Sequence, residues 1–226
     1  PYYSAMVECV DDSVGRVMDT LRRLKIDDRT IVIFFSDNGG LSVREGKHTP
    51  ATTNAPLRAG KGYLYEGGIR EPWIVKWPGV VKPAGVCKEP VVSVDFFRAL
   101  CDMAGLDQRR VKTNGPIDGV SIVPLLKNPN AALGREAIYW HYPHFSNQGG
   151  RPGGAIRVGN FKLIERYELG TLELYNLKED LGETTNLAER MPNKARQLHQ
   201  MLRRWRKQVN ANMPRPNPEY EPKEDR

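Results

Sequence analysis

The chain opens with an amphipathic pattern that runs into a short apolar segment. Across residues 4–24, valine, leucine and methionine recur at steps of three and four residues, which predicts a helix with one apolar side. Residues 30–35 form a nearly continuous apolar run rich in β-branched and aromatic side chains. Such a run predicts a strand that is buried on both faces, as in the interior of an α/β sheet. Asp37 and Asn38 follow it, at the end of the strand where ligand sites gather in such sheets.

The middle of the chain is irregular in its first part. Residues 41–68 are polar and rich in glycine, with little periodicity, and a segment of this length inside a compact domain predicts a functional loop. Residues 71–77 return to an extended apolar pattern. Residues 91–104 predict a strand that leads into a helix, with Asp95 near the positive end of the helix dipole.

The pattern changes again after a surface loop at 128–134. Short extended runs are separated by Gly159-Asn160 and by Gly170, which predict hairpin turns and a small antiparallel sheet. An amphipathic helix is predicted over 192–209. Three domains or segments follow from these patterns: an α/β part at 1–127, a sheet-and-helix subdomain at 128–212, and a Pro-rich extended tail at 213–226.

Composition excludes several classes of protein. The chain has 226 residues, 39% of them hydrophobic, and a net charge of +7 that is concentrated in the last predicted helix. Leu198, Leu202 and Trp205 give that helix an apolar side, so the cations are interpreted as a solvated face; no nucleic-acid-binding motif accompanies them. No stretch is long and apolar enough to predict a membrane span. The three cysteines lack zinc-ligand spacing.

Two motifs carry candidate chemistry. Asp37 and Asn38 offer one charged and one neutral oxygen ligand, which suits Ca²⁺ or Mg²⁺, although Asp-Asn-Gly is also a common turn. Lys61 stands between Gly60 and Gly62, so a ligand could approach the backbone while the ammonium contacts an oxyanion. A surface loop with a solvated cation is the alternative interpretation of the second motif.

Both motifs belong to a series of distinctive segments, which are Phe35-Ser36-Asp37-Asn38-Gly39-Gly40, Pro56-Leu57-Arg58-Ala59-Gly60-Lys61-Gly62, Tyr65-Glu66-Gly67-Gly68-Ile69-Arg70-Glu71-Pro72 and Trp77-Pro78-Gly79. The series continues with Val94-Asp95-Phe96-Phe97, Asp118-Gly119-Val120-Ser121 and the stretch from Leu174 to Leu187. In this order, the segments resemble those of the type I sulfatases of the arylsulfatase kind.

The resemblance implies a fold and a chemistry. The fold is an alkaline-phosphatase-like mixed α/β sheet sandwiched by helices, here incomplete, with a small carboxy-terminal antiparallel sheet and helix. The chemistry is hydrolysis of a sulfate ester, an aryl sulfate or a sulfated carbohydrate, with a divalent cation that is usually Ca²⁺ and has Mg²⁺ as the alternative. The family's Asp-Asn metal ligands fall on Asp37 and Asn38, and its sulfate-binding lysine falls on Lys61.

The sequence departs from the family at the nucleophile. Sulfatases attack sulfur with a formylglycine made from Cys or Ser in a C/S-x-P/A-x-R motif, and the residues after Cys9, Cys87 and Cys101 do not fit it. The interpretation is a chain that starts after the nucleophile, so that formylglycine is expected upstream and the missing amino-terminal half is an expected partner. The chain alone is then expected to be inactive. The resemblance further implies a periplasmic, lysosomal or secreted protein.

Further pocket residues are predicted from their positions. Five side chains are candidates for substrate contact: His48, Asn54, Arg58, His141 and His144. Arg70 and Glu66 are expected to form an internal ion pair, and His199 is expected to be structural.

Two other functions stay open at this point. A phosphodiesterase or phosphomutase of the same superfold would need more His and Asp ligands around two metals, and the sequence has no DxxxH or HxH motif. A non-catalytic glycan- or anion-binding protein is the second alternative, because the chain does not contain the nucleophile motif. The oligomeric state is not predicted.

Overall fold

A computed structural model describes residues 2–107, 111, 113, 115–215 and 217–219. Two compact units divide the chain: the first contains residues 1–37 and 71–138, and the second contains residues 38–70 and 139–226. The domain boundaries inferred from the sequence stay predictions, and most of the predicted Pro-rich tail lies outside the described residues. The elements in chain order are α1 (Tyr2–Arg23), β1 (Val32–Phe35), α2 (Glu66–Ile69), β2 (Trp73–Lys76), α3 (Asp95–Met103), α4 (Val123–Lys127), β3 (Ile138–Tyr142), β4 (Gly153–Val158), β5 (Phe161–Arg166), β6 (Thr171–Asn176) and α5 (Pro192–Gln208).

The first unit contains the predicted first helix and strand, but they are less buried than the pattern predicts. β1 pairs with β2 in an antiparallel sheet of two strands, with Val32 opposite Lys76. The prediction of a strand buried on both faces is wrong here, because Phe34 and Phe35 are 40% and 45% exposed and no third strand of the described residues joins this sheet. The apolar side of α1 is likewise exposed, as at Val10.

A buried ion pair organises the other half of the first unit. Asp95 begins α3 and is completely buried, and both of its carboxylate oxygens contact Arg135 Nη1, at 2.6 and 2.7 Å. The same carboxylate accepts hydrogen bonds from the backbone N–H groups of Val92 and Val120. The bond to Val92 shapes a turn, so the strand predicted ahead of this helix is wrong. Ala99, Ile122 and Leu125 form the small apolar core beside this pair.

The second unit is built on a four-stranded sheet in the order β3-β4-β5-β6. β4 pairs antiparallel with β5, and β5 with β6, which confirms both predicted hairpins and the small antiparallel sheet. Gly159 and Gly170 lie in the connecting turns with φ of 56° and 63°, a conformation that favours glycine. The predicted final helix is confirmed as α5.

Side chains on the two faces of this sheet meet different neighbours, because residues alternate between faces along a strand. On one face, hereafter the helix face, Ile156, Leu163 and Leu174 are completely buried, and α5 contacts all three strands there. Leu198 and Leu202 of α5 are also completely buried, while Arg203 and Arg204 point to solvent, as expected for a solvated basic face. On the other face, hereafter the loop face, Lys162, Ile164 and Tyr175 contact the segment 58–66.

A second carboxylate joins the sheet to α5. Glu165 lies on the helix face, 3.1 Å from His199 Nε2 and 2.6 Å from Arg206 Nη1. Burial alone would raise the pKa of Glu165, but hydrogen bonds from His199 and Arg206 bring that pKa below its ordinary value. The prediction of a structural role for His199 is therefore confirmed. Within the described residues, the helices lack the length and hydropathy needed to cross a membrane.

Candidate active site

The loop of the second unit brings the backbone beside Asn38 close to Lys61. The N–H of Lys61 donates to Gly40 O at 3.2 Å, and the N–H of Gly39 donates to Gly68 O at 3.2 Å. Asn38 and Lys61, which are far apart in sequence, are therefore held by neighbouring backbone hydrogen bonds. Lys61 is itself exposed, so its ammonium is accessible.

Glycines make this close approach possible. A Cβ atom at Gly39 would lie 1.8 Å from Gly67 O, and one at Gly60 would lie 2.3 Å from Gly40 O. A Cβ at Gly68 would lie 2.2 Å from Tyr63 O. Since these separations are far below any van der Waals contact, backbone meets backbone at each position. We call Gly39, Gly60, Gly67 and Gly68 the glycine cluster. At these four positions the backbone segments of the loop pack closely against one another.

Asn54 fastens the two sides of the loop together. Its side-chain oxygen accepts from the N–H of Gly40 at 3.0 Å, and its amide nitrogen donates to Gly40 O at 2.9 Å and to Ala59 O at 3.0 Å. These bonds engage both ends of the amide in the backbone. The structure thus shows a loop-holding role for Asn54, and its predicted contact with substrate stays a prediction.

Arg58 anchors the loop to the sheet. Its Nη1 donates to Tyr175 Oη at 3.0 Å and to Glu183 O at 2.7 Å, and its guanidinium lies 3.9 Å from the centre of the Tyr65 ring. Such a cation–π contact adds to the hydrogen bonds. These partners hold Arg58 against the sheet. Its predicted role in substrate binding stays a prediction.

Tyr65 and Tyr175 converge on one carboxylate of β6. Both phenol groups donate to Glu173 Oε2 at 2.7 Å, and Arg166 Nε donates to Glu173 Oε1 at 2.9 Å. Burial opposes ionisation of Glu173, but these hydrogen bonds lower its pKa below the ordinary value. Burial raises the pKa of Tyr65 and of Tyr175. The loop face of the sheet therefore holds this part of the loop through ionic hydrogen bonds.

A second loop, residues 146–150, packs against the residue that follows Lys61. A Cβ at Gly150 would lie 1.8 Å from Gly62 O, and one at Gly62 would lie 2.2 Å from Ser146 Oγ. His144 is exposed and precedes this loop by two residues. The predicted substrate residue His144 thus belongs to the segment that adjoins Lys61.

Glu45 joins that loop to the segment that carries His48. Its Oε1 accepts a hydrogen bond from Asn147 Nδ2 at 2.6 Å and another from Gln148 Nε2. His48 lies in an exposed turn three residues after Glu45. The segments of Asn38, His48, Lys61 and His144 are consequently linked to one another within the second unit.

His141 differs from His144 because both of its ring nitrogens have partners. Nδ1 lies 2.7 Å from Tyr167 Oη, and Nε2 lies 2.8 Å from Asn212 O. These contacts join β3 to the turn after β5 and to the segment after α5. The predicted substrate contact of His141 stays a prediction.

Asp37 and Glu71 place two carboxyl groups at one end of the first unit. Burial and the charge of Asp37 raise the pKa of Glu71 to about 7. Glu71 Oε1 is buried and has no hydrogen-bond partner within the described residues. Asp37 is exposed at the end of β1.

Comparison with known proteins identifies the family. The family model described as "Sulfatase" matches residues 1–106, and the model described as "N-sulphoglucosamine sulphohydrolase, C-terminal" matches residues 59–209. A protein described as a sulfatase from Formosa agariphila is 36% identical over 229 aligned residues, which cover 92% of this chain and 40% of that protein. The chain belongs to the sulfatase family. It corresponds to the carboxy-terminal portion of type I sulfatases.

Other sulfatases and solved structures agree with this assignment. An N-acetylglucosamine-6-O-sulfatase from Bacteroides thetaiotaomicron is 29% identical, with 94% of this chain and 36% of that protein covered. A protein solved in complex with its substrate D-glucosamine-2-N,6-O-disulfate is 28% identical with a TM-score of 0.73, over 91% of this chain and 40% of that one. The chain thus spans about 40% of the length of these relatives. The predicted fold class, a partial alkaline-phosphatase-like α/β fold, is confirmed.

The donor groups of this sulfatase chain fit a hard divalent cation. Asp37 and Asn38 offer oxygen ligands only, and the nearby Glu71 Oε1 is buried without a hydrogen-bond partner within the described residues, as an oxygen that awaits a cation would be. Within the described residues, no group of three or more His, Cys, Asp or Glu side chains could hold a metal by itself. The pair Asp37 and Asn38 would therefore supply part of a coordination shell.

Sequence reasoning missed several residues that shape the site of this sulfatase. Glu45, Asn147 and Gln148 connect two loops, and Lys162 and Glu183 lie beneath α2. Only one signal in the sequence pointed to them: Lys162 interrupts the apolar pattern of a short strand. The partners of such a lysine are distant in sequence, so the pattern alone could not identify them.

Proposed function

We propose that this chain is the carboxy-terminal part of a sulfatase that hydrolyses sulfate esters, with sulfated carbohydrates as the substrate class. Membership of the sulfatase family supports the reaction. The observation that carries the proposal for these residues is the hydrogen bond from Lys61 N to Gly40 O, which holds the backbone of an exposed lysine against the segment that begins with Asn38. A cation and hard oxygen ligands for a metal together suit a sulfate group.

The metal ligands in this proposal are Asp37 and Asn38. Their oxygens suit Ca²⁺, with Mg²⁺ as the alternative. The buried, unpartnered Glu71 Oε1 supports a cation at this end of β1, since a nearby positive charge would compensate that carboxyl. A bound divalent ion would polarise the sulfate and stabilise negative charge on its oxygens.

Lys61 would contact a non-bridging oxygen of the sulfate. In the transition state of sulfate ester cleavage, negative charge spreads over the non-bridging oxygens and the leaving oxygen. Asn54 and the glycine cluster hold the backbone that carries Lys61, so its ammonium would reach the sulfate from a defined position and stabilise that charge.

The nucleophile is expected outside these 226 residues. Cys9, Cys87 and Cys101 are free thiols, and none lies in the motif that yields formylglycine. The chain would accordingly supply metal ligands and a sulfate-binding lysine to a site that the rest of a full-length sulfatase completes. The protein would act in the periplasm, the lysosome or outside the cell, as the family implies.

His48 and His144 are proposed to face the sugar. Both are exposed, and both lie on segments joined by the contacts of Glu45 with Asn147 and Gln148. Two similar proteins support a carbohydrate: one is described as an N-acetylglucosamine-6-O-sulfatase, and one was solved with a sulfated glucosamine. Their exposed imidazoles could donate hydrogen bonds to hydroxyl groups around the sulfate.

The test is sulfate release by the full-length protein that carries this chain. The substrates are a chromogenic aryl sulfate and a 6-sulfated glucosamine, each measured with Ca²⁺ and with a chelator. Lys61→Ala should lower kcat/KM by about 10²–10³, on the scale of one lost oxyanion contact. Lys178→Ala removes an equally exposed lysine of the second unit and should leave the rate unchanged. Turnover by Lys61→Ala at the wild-type rate, or Asp37→Ala with full calcium-dependent activity, would contradict the proposal.

A further inference from the structure

A buried lysine lies between two carboxylates beneath the active-site loop. Lys162 Nζ is 3.0 Å from Glu66 Oε1 and 2.9 Å from Glu183 Oε1. All three residues are at most 2% exposed. Arg70 and Arg157 approach Glu66 from the periphery at 3.5 and 3.8 Å. The proposed reaction uses none of these groups directly.

Burying these three charged side chains costs free energy, so their presence calls for a reason other than stability. Removing a charge from water carries a penalty of several kcal/mol per ion, and a buried ion pair often contributes no more to stability than apolar residues of the same volume. Neighbouring positions such as Ile164 and Leu163 show that β5 can bury apolar side chains completely. Stability therefore gives little reason for three charged residues here, whereas a fixed geometry gives a direct one.

The ion cluster holds the turn that carries the glycines. Glu183 uses its second oxygen to accept the backbone N–H of Glu66, the first residue of α2, at 2.6 Å. Glu66 is thus held twice, through its backbone and through Lys162. Gly67 and Gly68 follow immediately, so the position of the cluster sets the position of these two glycines.

From that turn, two contacts lead to the proposed site. Gly68 O accepts the N–H of Gly39, which is the neighbour of Asn38. The N–H of Gly67 donates to Arg58 O at 2.9 Å, three residues before Lys61. At these glycines, backbone atoms pack directly against backbone atoms. A displacement of α2 would therefore shift the adjoining backbone, because no flexible side chain lies between them.

We propose that Lys162, with Glu66 and Glu183, is a positioning group that sets the distance between the Asn38 backbone and the Lys61 loop. This inference rests on the proposed function. Lys162 acts through α2 and touches neither substrate nor metal. The carboxy-terminal sheet thereby contributes to sulfate ester cleavage from its loop face.

The same strand provides a matched control. Glu165 lies on the helix face of β5 and forms ionic contacts with His199 and Arg206, away from α2. Glu165→Gln weakens a partly buried ion cluster that lies on the face of β5 opposite the loop. Any general effect of losing ionic contacts in this sheet should appear equally in this control.

The experiment compares Lys162→Met with Glu165→Gln in the full-length protein. Three quantities are measured: kcat and KM on an aryl sulfate, the Ca²⁺ concentration at half-maximal thermal stabilisation, and the Tm without Ca²⁺. For Lys162→Met we expect kcat to fall about 10–100-fold and the Ca²⁺ midpoint to rise about tenfold, as for displaced supporting groups. KM should change less than threefold. Glu165→Gln should lower Tm while leaving kcat and the Ca²⁺ midpoint within twofold of the wild type.

If Lys162→Met does not fold, a second variant, Glu183→Gln, tests the same proposal. Glu183→Gln keeps the side-chain volume and removes one of the two carboxylates beside Lys162, while Glu66 stays as its partner. It should lower kcat about three- to tenfold, with a smaller loss of Tm than Lys162→Met. Wild-type kcat and Ca²⁺ midpoint in Glu183→Gln, or in folded Lys162→Met, would overturn the positioning role. A wild-type protein without any sulfate ester turnover would instead contradict the proposed function.

Discussion

The two units of this chain bury their apolar side chains to very different extents. In the second unit, both faces of the sheet are covered, and Ala155, Leu163 and Leu174 have no exposed surface. In the first unit, Val10 of α1 and Ile74 of β2 are 51% and 61% exposed. The second unit thus has a complete core of its own, whereas the first presents apolar surface of the kind that a further layer of structure covers.

The two units also differ in how much apolar core surrounds their buried ionic contacts. Asp95 and Arg135 form an ionic centre beside a core of few apolar residues in the first unit. In the second unit, the carboxylates Glu165 and Glu173, like the buried cluster of Lys162, accompany a sheet that buries many apolar side chains. We therefore expect the loss of a comparable ionic contact to lower the unfolding free energy more in the unit with the smaller apolar core.

Apart from Lys162→Met, the largest loss of stability is expected from Arg135→Met. The substitution leaves Asp95 completely buried without its cation, which should cost about 3–5 kcal/mol of unfolding free energy. Hydrogen–deuterium exchange of the full-length protein should show faster exchange in residues 71–138 and unchanged exchange in the sheet of the second unit. The control Arg151→Met removes an exposed partner of Glu168 and should cost less than about 1 kcal/mol. A similar cost for both variants would remove the special role of Asp95.

The next largest effect is expected from Ile164→Ala on the loop face. Ile164 is completely buried among Tyr65, Ala155 and Tyr175, so truncation should cost about 2–5 kcal/mol. Leu169→Ala, at a turn position that is 69% exposed, should cost less than about 0.5 kcal/mol. Urea unfolding followed by far-UV circular dichroism measures both. Equal midpoints would mean that this sheet is not the self-sufficient core described above.

Much of the second unit follows from its sequence. The hairpins are marked by Gly159 and Gly170, whose positive φ angles explain why glycine is there, and α5 is marked by its apolar period. The burial of Lys162 could not be predicted, because Glu66 lies 96 positions earlier in the chain. The contact of Glu45 with Asn147 spans 102 positions in the same way. Sequence patterns report local periodicity and turn chemistry, whereas these pairings exist only once the chain has folded.

In the first unit, the sequence predicted the elements better than their surroundings. The apolar run of β1 and the apolar side of α1 correctly indicate a strand and a helix. Their burial depends on neighbours, and among the described residues β2 is the single strand paired with β1. For the candidate site, residue chemistry singled out Asp37, Asn38 and Lys61 and the resemblance implied their roles, while the structure supplied the backbone contacts between the segments of Asn38 and Lys61.

A smaller effect is expected on the exposed apolar side of α1. Val14 lies there with Cys9, Val10 and Val17, and it is 37% exposed. If the full-length protein covers this side, Val14→Ala should cost about 1.6 kcal/mol there, from about 0.8 per buried carbon. In the 226-residue chain it should cost almost nothing; we expect that chain to self-associate through the exposed side, so Val14→Asp should lower its light scattering. Identical costs in both contexts would contradict the view that α1 gains a covering layer.

The smallest effect is expected from Glu173→Gln, and it depends on pH. The hydrogen bonds from Tyr175, Arg166 and Tyr65 lower the pKa of Glu173 from its ordinary value of 4.5, so the folded state favours the ionised carboxylate. The resulting stabilisation is fully present above pH 4.5 and is lost as the pH falls through the lowered pKa of the folded state. Glu173→Gln should therefore cost about 1 kcal/mol at pH 7, and the difference from wild type should shrink as the pH falls below 4.5. Thermal unfolding from pH 3 to pH 7 tests this, and a difference that grows on acidification would reverse the sign of the argument. A cost well below that of Arg135→Met is the required outcome, because the apolar interior of the second unit remains intact when this carboxylate is neutralised.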